Sequence, residues 1–270
     1  MVRRQTPENR IVPSYEKDSN SDMTESTIFF LSFTLTFLAA GLVKGVTGMG
    51  LPTVAMGLLG SVVPPATAAA ILVIPSFVTN VWQLLAGPAT ASLLRRLWPM
   101  MLAVMVGTVG AAALLVRVDP LWSAFSLGVA LVVYSVYSLF APALSVEPRI
   151  ESWLSPVIGM LTGVVTGVTG VFAIPAVPYL QSLNLDKDEL VQALGLSFTV
   201  STIALAIGLM VYGAFQLNQL GLSALAIVPA LIGMWLGQKV RAMISPKRFR
   251  QCFLVFMVLL GLELTSRPFF

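Results

Sequence analysis

Runs of apolar residues, separated by short polar stretches, make up most of the sequence. A helix that crosses a bilayer needs about 20 residues, so the first two runs of each half are short and the other three are long enough. The runs occupy residues 28–43, 49–62, 66–87, 97–116 and 121–141 in the first half, and 153–166, 171–183, 190–213, 219–238 and 247–264 in the second. This pattern predicts an all-α polytopic membrane protein with about 8–10 embedded helical segments, the first two of each half short and broken at glycine-rich turns.

The composition supports a membrane protein and excludes other classes. Hydrophobic residues make up 57% of the 270-residue chain and charged residues 10%, with a mean hydropathy of +0.88, whereas a soluble domain carries about 25% charged residues. The net charge of +4 comes mostly from short loops, so it is no evidence for nucleic-acid binding. Histidine is absent and Cys252 is the single cysteine. The sequence therefore predicts no internal disulfide, no Cys/His metal site and no cofactor.

Polar stretches divide the chain into four parts. Residues 1–26 are polar and lack the apolar core of a signal peptide, which predicts a disordered N-terminal tail. A first transmembrane repeat at 27–143, a linker at 144–152 and a second transmembrane repeat at 153–266 follow it. A chain of this kind is expected to be a multi-pass protein of the cell (inner) membrane.

The two halves share glycine and proline positions. The letters GVTG occur at Gly45–Gly48 and again at Gly167–Gly170. A proline follows each copy, Pro52 in the first half and Pro175 in the second, and another proline precedes the last run of each half. Because these anchors occur in the same order, they predict an internal duplication.

Basic loop residues indicate how the two repeats are oriented. Arg95 and Arg96 lie between the third and fourth runs of the first half. The basic cluster of the second half lies one loop later, at Lys239, Arg241, Lys247, Arg248 and Arg250. The positive-inside rule favours a cytoplasmic location for both clusters, and this requires an odd number of segments in each half. The pattern therefore predicts inverted repeats.

Lys44 stands at membrane depth within the stretch GLVKGVTGMGLP, Gly41–Pro52. A charge at such depth costs about 2.5–3.5 kcal/mol on insertion scales, and open backbone there is tolerated only inside protein or along a water-filled cavity. The neighbouring glycines favour a functional site over a lysine that extends to the interface. Glu263 is the other ionisable residue well inside an apolar run, but it lies near the end of the last helix and can reach the interface.

Broken helices at this depth predict an anion site. Helices that begin directly after Gly48 and Gly170 would present free N–H groups and partial positive charge, as broken helices do in transporters. Lys44 adds a full positive charge on one side, and Thr166 is its counterpart in the second half. Thr47 and Thr169 match each other and could donate hydrogen bonds to an oxyanion.

Two polar groups on the following helices extend this site. Asn80 and Gln83 are three residues apart and share one helix face. The hydroxyl-rich stretch at 197–202 could line the site or could hydrogen-bond between helices, which is common in membranes. The predicted substrate-binding residues are Lys44, Gly45, Thr47, Gly48, Met49, Gly50, Asn80, Gln83, Thr166, Gly167, Thr169, Gly170, Ser197, Thr199 and Ser201.

These motifs together resemble a known family. The stretch GLVKGVTGMGLP, the later Asn80 and Gln83, and the repeated GVVTGVTGVFAIP are similar to the sulfite exporter TauE/SafE family of membrane permeases. The resemblance runs from residue 27 to 265. It implies transport of small sulfur-containing anions such as sulfite and organosulfonates, with export as the expected direction. The second half departs from the fuller pattern, since Phe172 stands where the first half has Gly50.

Other classes of protein fit the sequence less well. An intramembrane enzyme would need a catalytic base, a carboxylate pair or a metal site. There is no histidine and no two acids share an embedded run, so we expect no enzyme, with only a Ser-Lys dyad at Lys44 left open. The remaining alternatives are a permease for another small metabolite on an inverted-repeat plan and a non-transporting membrane assembly subunit. Expected partners are the lipid bilayer and a small anionic substrate; nucleic acid is not expected, and a homodimer is left open.

Overall fold

The computed structural model describes residues 19–140, 145–215, 217–243 and 246–269, and in these ranges the chain is helical and has no strand. The chain divides into two compact units, Met1–Ser32 and Phe33–Phe270. The helices are α1 (Ser19–Thr47), α2 (Leu51–Gly60), α3 (Pro65–Leu85), α4 (Thr90–Arg117), α5 (Pro120–Phe140), α6 (Pro148–Thr169), α7 (Ala176–Gln181), α8 (Lys187–Val211), α9 (Leu217–Leu225), α10 (Ile227–Met243) and α11 (Pro246–Ser266), followed by a 3₁₀ turn at Arg267–Phe269.

Eight segments of the described chain are long and apolar enough to cross a membrane. Helices α9 and α10 contribute to a single one of these spans. The spans are Thr27–Thr47, Pro65–Leu85, Thr90–Arg117, Pro120–Phe140, Pro148–Thr169, Lys187–Val211, Leu220–Arg241 and Arg248–Phe269. The predicted all-α polytopic fold is confirmed.

The first helix of each half is longer than the sequence pattern predicted. Helix α1 has 29 residues and α6 has 22, and both reach spanning length, so the prediction that they are short is wrong. They also begin earlier than predicted, at Ser19 and Pro148, where the sequence suggested a tail and a linker. Residues 1–18 of that tail lie outside the described ranges. The second helices are short, with 10 residues in α2 and 6 in α7.

Helix α1 is long because its glycines serve as packing positions and stay helical. A Cβ atom added at Gly41 would overlap the carbonyl oxygen of Ala230 on α10, and one added at Gly45 would overlap that of Met234. In return, Gly237 of α10 lies against the backbone of α1. Glycines spaced four apart on two helices let the backbones touch, which is a common way for membrane helices to associate.

Helix α6 packs on α4 in an equivalent way. A Cβ atom added at Gly163 would lie 2.5 Å from the carbonyl oxygen of Val104, and one added at Gly167 would lie 2.6 Å from that of Thr108. The contacts advance in the same direction along both helices, so α4 and α6 run parallel. Each half therefore packs its first helix against the third spanning segment of the other half.

The backbone leaves helical geometry one turn after these packing glycines. Helix α1 ends at Thr47, and Gly48 and Gly50 then take positive φ values of 78° and 103° before α2 begins at Leu51. Helix α6 ends at Thr169 and is followed by Gly170 with φ 71°. These conformations favour glycine.

The second break is longer than predicted. A helix was expected directly after Gly170, but α7 begins only at Ala176. Pro175 explains the delay, because the residue before a proline is disfavoured in helical geometry. Pro178 falls in the first turn of α7, where its missing N–H has no intrahelical partner to lose.

Equivalent helices of the two halves run in opposite directions. Asn80 of α3 contacts Thr202 of α8, while Gln83, further along α3, contacts Val191, which lies earlier on α8. Helices α5 and α11 are likewise antiparallel, since the contacts of Gly128 with Thr265 and of Gly261 with Val132 run in opposite order. Equivalent helices that run antiparallel to each other support inverted repeats. The internal duplication itself stays a prediction.

This arrangement predicts that both basic clusters lie on the same side of the membrane. Arg95 and Arg248 lie near the starts of α4 and α11, and these helices run parallel because α5 is opposite to each. Single cysteines at these two positions, in a Cys252→Ser background, should both be labelled from the cytoplasmic side by a membrane-impermeant maleimide. Arg95 suits the test because its neighbour Arg96 is engaged by Glu151. Labelling of the two positions from opposite sides would contradict the inverted arrangement.

Candidate functional site

Lys44 lies inside the protein and does not extend to the interface. Its side chain is only 3% exposed, and its ammonium group donates hydrogen bonds to Thr79 Oγ1 (3.2 Å) and to Asn80 Oδ1, both on α3. The Asn80 amide in turn donates to Thr202 Oγ1 of α8 (3.3 Å). A chain of polar contacts thus joins α1, α3 and α8 around the lysine.

The charge on Lys44 has no carboxylate partner among the described residues. The ion pairs among the described residues join Arg96 to Glu151 and Arg267 to Glu263, and both pairs are at least partly exposed. Neutral oxygens solvate the ammonium group but do not neutralise it. A buried cation of this kind is costly unless an opposite charge accompanies it, and the described residues supply none.

Gln83 connects this cluster to the break after α1. Its Nε2 donates to the carbonyl oxygens of Gly48 (2.8 Å) and Val191 (2.9 Å). Its Oε1 is buried and has no hydrogen-bond partner within the described chain. The amide therefore fixes the position of the Gly48 backbone relative to α3 and α8, and it leaves one acceptor unused.

Four polar residues of α3 form one face of this site. Ser76, Thr79, Asn80 and Gln83 follow the spacing i, i+3, i+4 and i+7 along the helix, which places them on one side. All four are buried, and Ser76 Oγ has no partner in the part of the chain that the structure describes. Sequence reasoning found Asn80 and Gln83 but missed Ser76 and Thr79. Helical spacing from Asn80 is the signal that could have found them.

The predicted residues around the first break hold its shape. The hydroxyl of Thr47 lies 2.9 Å from the carbonyl oxygen of Val43, and the Met49 N–H donates to Thr47 Oγ1 (3.3 Å). The Tyr134 hydroxyl donates to the sulfur of Met49 (3.5 Å). Gly50 turns the chain into α2 with its positive φ.

The second break repeats this local pattern. Thr169 Oγ1 donates to the carbonyl oxygen of Val165 (2.7 Å) and accepts from the Val171 N–H (3.2 Å), as Thr47 does with its own neighbours. Thr166 donates to the carbonyl oxygen of Thr162 (2.7 Å). Contact of these threonines with an anion stays a prediction.

The remaining predicted glycines face neighbouring helices. Gly170 lies against Met56 of α2, so the second break packs on a helix of the first half. Gly45 and Gly167 face the backbones of α10 and α4. These two positions contribute to helix packing.

The hydroxyls of α8 divide between two faces. Thr202 faces α3 and accepts from Asn80, and Thr199 donates to the carbonyl oxygen of Gly195 (2.7 Å). Ser197 and Ser201 are buried without partners among the described residues. Their spacing places them on the stripe that includes Gly208, which packs on α4. Thr202, which was not among the predicted site residues, is therefore the α8 hydroxyl that joins the lysine cluster.

These features define a polytopic membrane protein with a charged internal site beside broken helices, an arrangement found in secondary transporters. No group of three or more His, Cys, Asp or Glu side chains in the described ranges could hold a metal ion. The model of the family described as Sulfite exporter TauE/SafE matches residues 33–264, and the chain belongs to this family. The family is one of membrane transporters and not of enzymes. No curated protein and no solved structure gave a match.

Proposed function

We propose that this protein is a permease that exports small sulfur-containing anions such as sulfite or organosulfonates, and that Lys44 binds the anion. The observation that carries the proposal is the buried ammonium group without a carboxylate partner among the described residues. Anionic oxygens are strong acceptors for such a group, and a charge-assisted hydrogen bond forms more favourably than a neutral one.

The surroundings of Lys44 support an anion of small size. The Gly48–Gly50 break is held beside the lysine cluster, because Gln83, one turn after Asn80 on α3, donates to the Gly48 carbonyl oxygen (2.8 Å). The first turn of α2 starts at this break and adds the partial positive charge of a helix N-terminus. Thr79 and Asn80 hold the ammonium group from the other side. In this proposal Thr166, Thr169 and the second break line the opposite side of the path.

Export follows from the charge of the substrate and the charges of the protein. A cell interior is negative, and each elementary charge that crosses is worth about 2.3 kcal/mol per 100 mV, so an anion leaves without a driving ion. Glu263 is a poor candidate for proton coupling, because its side chain is 48% exposed and pairs with Arg267 at the end of α11. The homodimer stays a prediction.

The experiment for this proposal is anion flux into and out of proteoliposomes that hold the purified protein. Sulfite, an organosulfonate, sulfate and a carboxylate should be compared, and sulfite or the organosulfonate should move fastest. An imposed potential alone should set the direction of flux, without a pH or sodium gradient. Flux that requires such a gradient and ignores the potential would show that export is not passive. Transport of the carboxylate alone would favour a permease for another metabolite.

A further inference from the structure

Two hydrogen bonds fix the orientation of the Gln83 side-chain amide, and this orientation determines which group of a ligand the amide can bind. Its Nε2 donates to two backbone carbonyl oxygens, those of Gly48 and Val191. If the amide were rotated by half a turn, Oε1 would face both carbonyl oxygens, and three acceptors would then meet without a donor. Oε1 therefore points away from them, and it is buried without a partner in the described chain.

A buried acceptor beside an anion site selects for a particular feature of the anion. The oxygens of a fully deprotonated anion are acceptors only, so they cannot satisfy Oε1 and are repelled by it. An O–H or N–H group on the ligand can satisfy it. Leaving a buried acceptor unpaired is unfavourable, so binding improves when the anion carries a donor.

The residues that carry the acceptor and the cation are about one helical turn apart on both α1 and α3. Gln83 is three residues after Asn80, whose Oδ1 contacts the Lys44 ammonium group, and the Gly48 carbonyl that holds Gln83 is four residues after Lys44. Each separation is about one helical turn, roughly 5 Å along the axis. An anion whose donor lies on the charged group itself, or on one of the first two carbons attached to it, fits such a distance.

We propose that the site selects monoanions that carry a hydrogen-bond donor, with an anionic oxygen on Lys44 and the donor on Gln83 Oε1. This inference rests on the proposed function of Lys44. A monoanion matches the single charge of Lys44, whereas a dianion would keep one buried charge unbalanced. Hydroxylated sulfonates and singly protonated oxyanions meet both requirements.

The test is calorimetric binding of two sulfonates of similar size to the purified protein in detergent. Ethanesulfonate has no donor, and 2-hydroxyethanesulfonate adds one O–H group. We expect the hydroxylated sulfonate to bind about tenfold more tightly to the wild-type protein, the size of one net hydrogen bond. Sulfate, a dianion without a donor, should bind more weakly than either.

Variants assign the preference to Gln83. Gln83→Met has a similar length and lacks the acceptor, so the two sulfonates should bind it with affinities within about twofold of each other. Ser123→Ala removes another buried unpartnered hydroxyl, on α5, and should keep the tenfold preference. A preference retained by a folded Gln83→Met protein would overturn the role of Gln83.

The wild-type measurement decides the inference even if Gln83→Met fails to fold. Equal binding of the two sulfonates would overturn the donor requirement and leave the proposed sulfonate site intact. If neither sulfonate bound in calorimetry and only sulfite moved in the proteoliposome assay, the donor requirement would be overturned and the export function would stand. If neither sulfite nor a sulfonate moved, the proposed function would fail, and the donor requirement would fail with it.

Discussion

Replacing Lys44 by methionine should abolish anion flux while the protein still inserts and folds. Methionine keeps most of the length of the side chain but removes the charge that would hold the anion. Losing one partner of a buried charge pair costs about 3–5 kcal/mol, so substrate affinity should fall by roughly 100-fold or more. Proteoliposome flux and calorimetric binding measure the effect, and size-exclusion chromatography checks folding.

Two further variants make this prediction specific. Lys239→Met removes a lysine that is exposed on α10 and lies over the Trp235 ring, and it should transport normally. Lys44→Arg should also be impaired, because a planar guanidinium group does not replace a compact ammonium group between Thr79 and Asn80. Wild-type flux in Lys44→Met would show that the lysine is only a structural residue of α1.

Gly163→Ala should destabilise the protein strongly, although it adds only one methyl group. The new Cβ atom would lie 2.5 Å from the Val104 carbonyl oxygen and 2.8 Å from the Thr108 nitrogen. Backbone atoms cannot rotate away, so α6 would have to move from α4. Overpacking of this kind costs about 1–3 kcal/mol, which should appear as a lower midpoint of thermal unfolding in detergent.

The matched control for this change is Gly110→Ala. Gly110 also lies within a spanning helix, α4, but nothing is within 4 Å of its added Cβ atom. Alanine is the better helix former by about 1 kcal/mol, so this variant should unfold at the same temperature or slightly higher. Equal destabilisation by both substitutions would mean that the α4–α6 contact is looser than the structure indicates.

Much of the fold follows from the sequence, since apolar length sets the number of spans. The glycines were harder to interpret. Gly41 and Gly45 could end a helix or receive a neighbouring backbone, and a single stretch of sequence looks the same in both cases. The partner settles the question: Gly233 and Gly237 on α10 repeat the same spacing. That pairing joins segments far apart in the chain and becomes evident only in three dimensions.

Some residues of the candidate site could also be identified from the sequence, and others only from the structure. Lys44 was identifiable because a charge at membrane depth is rare, and Asn80 and Gln83 because long amides are rare there. The sequence could not show whether Ser201 or Thr202 faces α3. The apolar residues of α8 are spread around the whole helix, so no face of it stands out as the one that meets α3. The two carbonyl partners of Gln83 were also hidden, since any residue can supply a backbone oxygen.

The packing of α1 on α10 has a consequence for how the protein is made. Helix α1 leaves the ribosome before α2 to α9, yet the surface that covers Gly41 and Gly45 belongs to α10, which is synthesised after all of them. Until α10 enters the bilayer, these glycines contact lipid or an assembly factor. The membrane domain therefore cannot mature segment by segment during translation. Its final assembly must wait until α10 has been inserted.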